Sequence, residues 1–361
     1  MKLHARLPII LGLSLVFLSI QRFGPNVPAI GYVLLAVCIT LYIPKAIKER
    51  RLPNFRDPLT LTILGFVVLV SVQVIIGLAK IETLALIFML VFTFLIAKEH
   101  GNEARKVFLP FTAVLSGSII VDSIVNGWSV TGGITSSFNY NLGSGVLILC
   151  VLLTENRHRW LSLVIATPGL MLTGASEGIV SIALLALFVV IQRDFSKKLI
   201  YVGALVGILF IVLTPLGITS QLSSQTMSYI TSNNPLPESY IQPGVDRSIT
   251  GDNLQRITNN RWYRYVDVVQ NIKPVGNGFY SKSSLVENLP LRILYETGVV
   301  GLLLWCVILG YGLKDKNTRY IFAAIIAVNL FDHYIWSEIP VYLWFAIGLI
   351  GSSKNGQYIF K

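Results

Sequence analysis

The chain of 361 residues has few charges: 13% are Asp, Glu, Lys or Arg. A soluble domain carries about 25%, so a water-exposed globular fold is excluded. Acid is scarcer than base, with 18 Asp and Glu against 29 Lys and Arg, for a formal net charge of +11. Cysteine is rare. Cys38, Cys150 and Cys306 all sit in apolar runs, so they form no metal-ligand spacing and carry no information on redox compartment. No phosphate-binding glycine loop, no HExxH and no Asp-x-Asp pair occurs. The last absence argues against a cytoplasmic type of nucleotide-sugar glycosyltransferase.

What fills the chain is apolar sequence. The hydrophobic fraction is 53% and the mean hydropathy is +0.67. A spanning helix needs about 20 mostly apolar residues, and such runs recur along the whole length. They predict an all-α polytopic integral membrane protein with about twelve transmembrane helices (10–12). The spans fall at about 7–23, 28–44, 59–78, 82–97, 107–125, 142–154, 160–173, 177–192, 199–216, 290–313, 319–331 and 339–352. Nine helices thus occupy 1–216, one large loop occupies 217–289, and three helices occupy 290–361. Lys2 and Arg6 precede the first run without an evident small-x-small cleavage site, so it is read as an uncleaved span.

The charges follow the same division. Lys45, Lys48, Arg50, Arg51 and Arg56 fill the second junction; Lys98, Arg105 and Lys106 the fourth; Arg157 and Arg159 the sixth. Arg193, Lys197 and Lys198 fill the eighth, and Lys314, Lys316 and Arg319 the tenth. With Lys2 and Arg6 before and Lys354 and Lys361 behind, these are most of the basic residues. All fall on one side of a twelve-span arrangement. The positive-inside rule makes that side cytoplasmic, with both termini inside and the 217–289 loop outside. The basic excess is thereby a topology signal, and nucleic acid is not an expected partner.

The segment Asn126–Asn141 is an uncharged outer loop rich in turn residues. Glu177, in Thr173-Gly174-Ala175-Ser176-Glu177-Gly178, lies at an outer membrane boundary, either as a solvated turn acid or as a carboxylate facing a polar cavity. Thr219 to Asn260 is rich in Ser, Asn, Thr and Pro and reads as irregular surface structure. Over about 261–272 a helical period appears, with Trp262, Val266 and Val269 on one face and Tyr265 beside them. An amphipathic helix with aromatic anchors suits a membrane interface. Pro274-Val275-Gly276-Asn277-Gly278 stops it. Gly298 and Gly301 open the next span and predict close helix packing.

From Arg261 onward the order of residues resembles the O-antigen polymerase and O-antigen ligase superfamily of bacterial envelope proteins. Arg261 and Tyr265 stand at that family's Arg and aromatic positions, and Pro274–Gly278 resembles its P-x-x-G-x-G turn in shortened form. The family closes this loop with His followed by Asn, Ser or Gln, then nine residues and G-x-x-G. Here Asn288, nine residues, Gly298 and Gly301 keep that spacing, with Glu287 in place of His. The segment around Glu177 resembles the family's T-x-S-R-G, with Glu where Arg is usual. Asp332-His333-Tyr334-x-Trp336 resembles a frequent family ending. The likeness covers roughly residues 170–350.

The resemblance implies a metal-independent glycosyltransferase of the bacterial inner membrane, with its active site facing the periplasm and no cofactor. The donor is an undecaprenyl-diphosphate-linked oligosaccharide. The partners are the lipid bilayer, a flippase and a chain-length regulator of the polysaccharide co-polymerase type. The leaving lipid diphosphate gains negative charge, which arginine forks bind in pairs. Arg261 and Arg264 are three apart on a helix, and Arg292 in the next span adds a third cation. Glu287, Asp332, His333 and Glu338 are candidate bases for the acceptor hydroxyl, and Asn288, Tyr265 and Glu177 are candidate substrate contacts. Glu287 in place of His favours a polymerase over a ligase that transfers glycan to lipid A core or protein. A lipid-linked oligosaccharide flippase is the alternative from another class, but it predicts paired half-chain repeats, and none is visible.

Overall fold

A computed structural model describes residues 6–49, 57–135, 140–173, 262–279, 288–329, 336 and 339–352. Helices account for most of these residues, and no strand occurs among them. They are α1 (Leu7–Ser19), α2 (Asn26–Lys48), α3 (Pro58–Ile75), α4 (Glu82–Ala104), α5 (Phe108–Val125), α6 (Tyr140–Leu153) and α7 (Arg159–Leu172). After the large loop come α8 (Trp262–Gln270), α9 (Leu289–Lys314), α10 (Arg319–Asn329) and α11 (Pro340–Gly348). Helices stand at ten of the twelve expected span positions; the expected spans 177–192 and 199–216 lie outside the described residues.

Four helical stretches are long and apolar enough to cross a membrane: Asn26–Lys48, Pro58–Ile75, Glu82–Val125 and Leu289–Lys314. The chain is therefore an all-helical membrane protein in its described parts. Helix starts follow local chemistry. Asp57 caps α3, its side chain accepting from the Leu59 N–H, and Asn288 caps α9, accepting from the Leu291 N–H at 3.1 Å. Pro58, Pro290 and Pro340 occupy first turns, where a missing N–H costs no intrahelical bond.

One boundary differs from expectation. α4 does not stop near 97 but runs to Ala104, and a 3-10 turn at Arg105–Val107 leads directly into α5. Hydropathy marks where apolar sequence ends, whereas this helix runs on through Lys98, Glu99, Glu103 and Ala104, which are good helix formers. A straight helix of 44 residues would be about 66 Å long, twice the hydrocarbon core. The 3-10 turn at Arg105–Val107 interrupts the α-helical hydrogen bonding between the two halves.

Contacts sort the junctions into two ends. At one end the Tyr42 O–H reaches Glu99 (3.0 Å), Lys98 pairs with Asp57 (2.7 Å), and Asn102 meets Ser352 (3.2 Å). At this end, too, the Gly351 N–H donates to Asp315 at 2.6 Å. Arg105 caps the end of α6, donating to Leu153 O (2.7 Å), Thr154 O (2.6 Å) and Asn156 Oδ1 (3.2 Å). Burial pushes its guanidinium down to about 10, which leaves it cationic at neutral pH. At the opposite end Arg22 pairs with Asp122 (2.5 Å), and Asp122 also accepts from Thr131. The basic second, fourth, sixth and tenth junctions thus share one end, and the first and fifth junctions meet at the other.

α11 lies at the centre, with all nine of its residues buried. Gly348 backs onto Ala97 and the Phe94 carbonyl, Gly101 meets Leu349, and Phe108 packs on Tyr342 and Phe345 with ring centroids 6.1 and 5.7 Å away. The Tyr342 O–H donates to Leu15 O at 3.0 Å, joining α11 to α1.

Candidate functional site

The site is built at the poorly charged end, where α8, the turn after it, α3 and α9 meet. α8 packs through Val268, 2% exposed, on Leu294 of α9, with Leu291 and Tyr295 beside it. Val269, on the face expected to lie at the membrane interface, is 53% exposed, and Ile272 is exposed too. A helix between a protein wall and a lipid surface has two apolar sides, and periodicity alone does not tell them apart. The Asn271 amide closes the helix end by donating to the Asp267 carbonyl and side chain (3.0 and 2.9 Å).

The turn Pro274–Gly278 then inserts into a break in α9. Gly298 has φ 69° and ψ −167°, so α9 is two helices that meet at a non-helical residue. The turn satisfies the backbone groups this break exposes. The Asn277 N–H donates to Tyr295 O (2.9 Å), the Gly278 N–H to Glu296 O (3.1 Å) and the Val300 N–H to Pro274 O (3.2 Å). The approach is too close for side chains. A Cβ on Gly298 would lie 2.3 Å from Pro274 O, and one on Gly276 would lie 2.3 Å from Glu296 O. The expected role of Gly298, close helix packing, is thus replaced by contact with a turn some twenty residues earlier. Gly301 faces its own Thr297 side chain and Leu69 of α3.

Gln73 of α3 fastens this junction from the other side. Its amide nitrogen donates to Val275 O (2.5 Å) and Glu296 O (2.8 Å), and its amide oxygen accepts from the Phe279 N–H (2.9 Å). The residue is fully buried. One side chain therefore joins α3 to a turn and a helix that both lie more than 200 residues later in the chain.

Below the break lies a buried ion pair. The Arg292 Nε donates to Glu296 Oε1 at 2.5 Å, with side chains 6% and 1% exposed. The Trp336 indole N–H donates to the other oxygen, Glu296 Oε2, at 2.8 Å. Trp336 stands in an aromatic cluster, 5.3 Å from the Phe279 ring, 6.0 Å from Trp305 and 6.3 Å from Phe66. The two groups are held at this depth by each other, and the Glu296 side chain by the indole N–H as well, since an isolated buried charge is very costly.

Of the expected site residues, Asn288 is the α9 cap, Tyr265 is half-buried on α8, and Arg264 lies in the backbone of α8. Arg292, expected as a third cation toward a leaving diphosphate, has its charge balanced within the protein by Glu296. Arg261, Glu287, Asp332, His333 and Glu177 lie outside the described residues, as does the acid Glu338. Sequence reading missed Glu296 and Gln73. Glu296 carried a signal: an acid four residues after an arginine inside an apolar run. Among the described residues no three His, Cys, Asp or Glu side chains converge as metal ligands. No family model matches the chain, and a search of curated proteins finds no significant match.

Proposed function

We propose that the chain is a polytopic polymerase that extends lipid-linked oligosaccharide repeat units at the periplasmic face of a bacterial inner membrane. Twelve spans with both termini inside put the basic end in the cytoplasm and the α8–α9 junction on the periplasmic side. The observation that carries the reading is the seating of Pro274–Gly278 in the Gly298 break. The turn and the Asn288-x9-Gly298 spacing, two separate parts of the family likeness, form one folded unit. A device that seals irregular backbone inside protein is what a loop needs if it dips beside a membrane helix.

In the reaction, an acceptor sugar hydroxyl attacks the anomeric carbon of the donor. The bond between that carbon and the diphosphate oxygen breaks, and the lipid diphosphate leaves with the electron pair. Glu287 or His333 takes the hydroxyl proton. Arg261 and Arg264 stabilise the leaving charge without a metal. The same chemistry serves a ligase, which differs only in its acceptor.

The test is Arg261, scored by the length of the surface-glycan ladder in a deletion strain carrying each variant, with protein levels checked by blot. A hydrogen bond to a charged group contributes about 1.5–3 kcal/mol, or about 10- to 150-fold in rate. Arg261→Ala should abolish polymer at normal protein level, and Arg261→Lys should recover only part, since charge remains but the fork is lost. Arg247→Ala, elsewhere in the loop, is the silent control. A normal ladder from Arg261→Ala refutes the role of Arg261. Loss of all capped core, rather than retention of a single repeat unit, in the deletion strain refutes the polymerase reading in favour of a ligase or flippase.

A further inference from the structure

The buried arginine at the basic end has one nitrogen left over. Arg105 is 5% exposed, and its Nε and Nη2 are taken up by the α6 cap, on Leu153 O, Thr154 O and Asn156 Oδ1. Capping leaves Nη1, which has no acceptor among the described residues. None of the three acceptors carries a charge, and a buried cation is costly unless an anion meets it. The acid nearby, Glu155, is held instead by the exposed Arg157, whose Nε donates to it at 2.8 Å. Arg105 lines a cavity of about 210 Å³, against roughly 10–15 Å³ for a single water. Three cations, Arg105, Lys106 and Arg157, line it against Glu155 alone. α7 begins at its rim. His158, the N-cap residue, makes no side-chain capping bond, and a helix of 14 residues brings the positive end of its dipole there.

The place of the cavity decides between a free anion and a lipid. α5 and α7 begin around it and α6 ends there, so it lies at the level where apolar helices leave the hydrocarbon. From Lys106 an exposed row runs down α5 through Pro110, Val114 and Val121, at helical spacing, and Leu109 carries the cavity lining toward it. We propose that this cavity holds the phosphate of an anionic phospholipid from the leaflet at the basic end. The free Nη1 of Arg105 and the Lys106 ammonium take the phosphate oxygens, and the acyl chains lie along the exposed row of α5. The site is independent of the reaction proposed above.

The experiment titrates the purified full-length chain, in a nonionic detergent, with phosphatidylglycerol and separately with phosphatidylcholine, and counts bound lipids by native mass spectrometry. A first phosphatidylglycerol should bind at concentrations where phosphatidylcholine does not. Lys106→Gln and Arg157→Gln, both at exposed positions, should each weaken that step about fivefold, the worth of one basic residue beside an anionic lipid surface. Arg105→Lys keeps the charge but loses the fork, and should weaken it about 10-fold or more. Lys48→Gln removes an exposed cation from another basic junction and should change nothing. Thermal midpoints in the same detergent show which variants fold; if Arg105→Lys does not, the two exposed variants decide. Equal affinity for the two lipids, wild-type affinity in both Lys106→Gln and Arg157→Gln, or an equal loss in Lys48→Gln overturns the site. Displacement of the lipid by an equal concentration of inorganic phosphate overturns the lipid assignment in favour of a soluble phosphate.

Discussion

Replacing Gly298 with alanine should unseat the 273–279 turn without unfolding the bundle. The new Cβ would sit 2.3 Å from Pro274 O and 2.4 Å from both Gly276 N and Lys273 O, all backbone atoms that no rotamer change can move aside. The conformation itself, φ 69° with ψ −167°, is one that side chains avoid at a cost of about 1–3 kcal/mol. Lifting the turn relieves the clash but forfeits the bonds from Asn277 N–H, Gly278 N–H and Val300 N–H, worth about 1 kcal/mol each. A local loss of about 3 kcal/mol follows, which at about 1.4 kcal/mol per decade is a shift of roughly 100-fold. Hydrogen exchange in nanodiscs should register it as faster exchange at Asn277, Gly278 and Val300, with α1 and α11 amides unchanged. Gly310→Ala is the control: its Cβ meets open space, and alanine in a helix is favoured by up to about 1 kcal/mol. Equal protection of the three amides in Gly298→Ala and wild type would refute the seated turn.

Gln73→Leu should be among the more damaging changes at a single uncharged residue. It strands the Phe279 N–H and Val275 O inside the protein at about 1–3 kcal/mol for each buried orphan, so the thermal midpoint in detergent should drop, and an unchanged midpoint would contradict the geometry. Asp57 supplies a pH test. Burial alone would raise its carboxyl, but the Lys98 ammonium, Thr60 and the Leu59 N–H outweigh it and hold it below the usual carboxylate range. Its stabilisation is then complete above the ordinary value of about 3.9 and disappears as pH falls through the lower folded value. Asp57→Ala should melt below wild type at neutral pH, losing about 1 kcal/mol with the cap, and the two melting points should converge in acid; a gap independent of pH would rule out the charge contribution.

Apolar run lengths and junction charges made the helices legible in the sequence, because both follow from the bilayer as solvent. Helix ends were less so. Lys98 marks a surface, yet lysine is a good helix former, and α4 continues past it to Ala104. The spacing of Gly298 and Gly301 looked like a helix-packing pair because its true partner, the turn at Gly276 and Gly278, is remote in sequence. Positive φ at Gly276, Gly278 and Gly298 is the shared property that spacing does not reveal. Glu296 was readable as an acid out of place in an apolar run, but its second partner, Trp336, lies forty residues on and belongs to a motif noted for its Asp and His. Gln73 carried no local signal at all, since a single amide in an apolar helix gives no hint of which distant backbone it serves.

The all-round burial of α11 bears on how the molecule is made. Ribosomes deliver α1, α4 and α5 long before α11, yet it fills the space between them and gives α1 a bond across 327 residues of chain. Until α11 is synthesised, the surfaces of Leu15, Phe94, Ala97 and Phe108 that it covers have no protein neighbour there, and lipid tails are the natural temporary occupants. Assembly therefore ends with an exchange of lipid for protein. The earlier helices must stay loosely associated through most of translation and tighten only as the late helix enters, so chains interrupted shortly before it would present an open apolar slot to the machinery that clears unfinished membrane proteins.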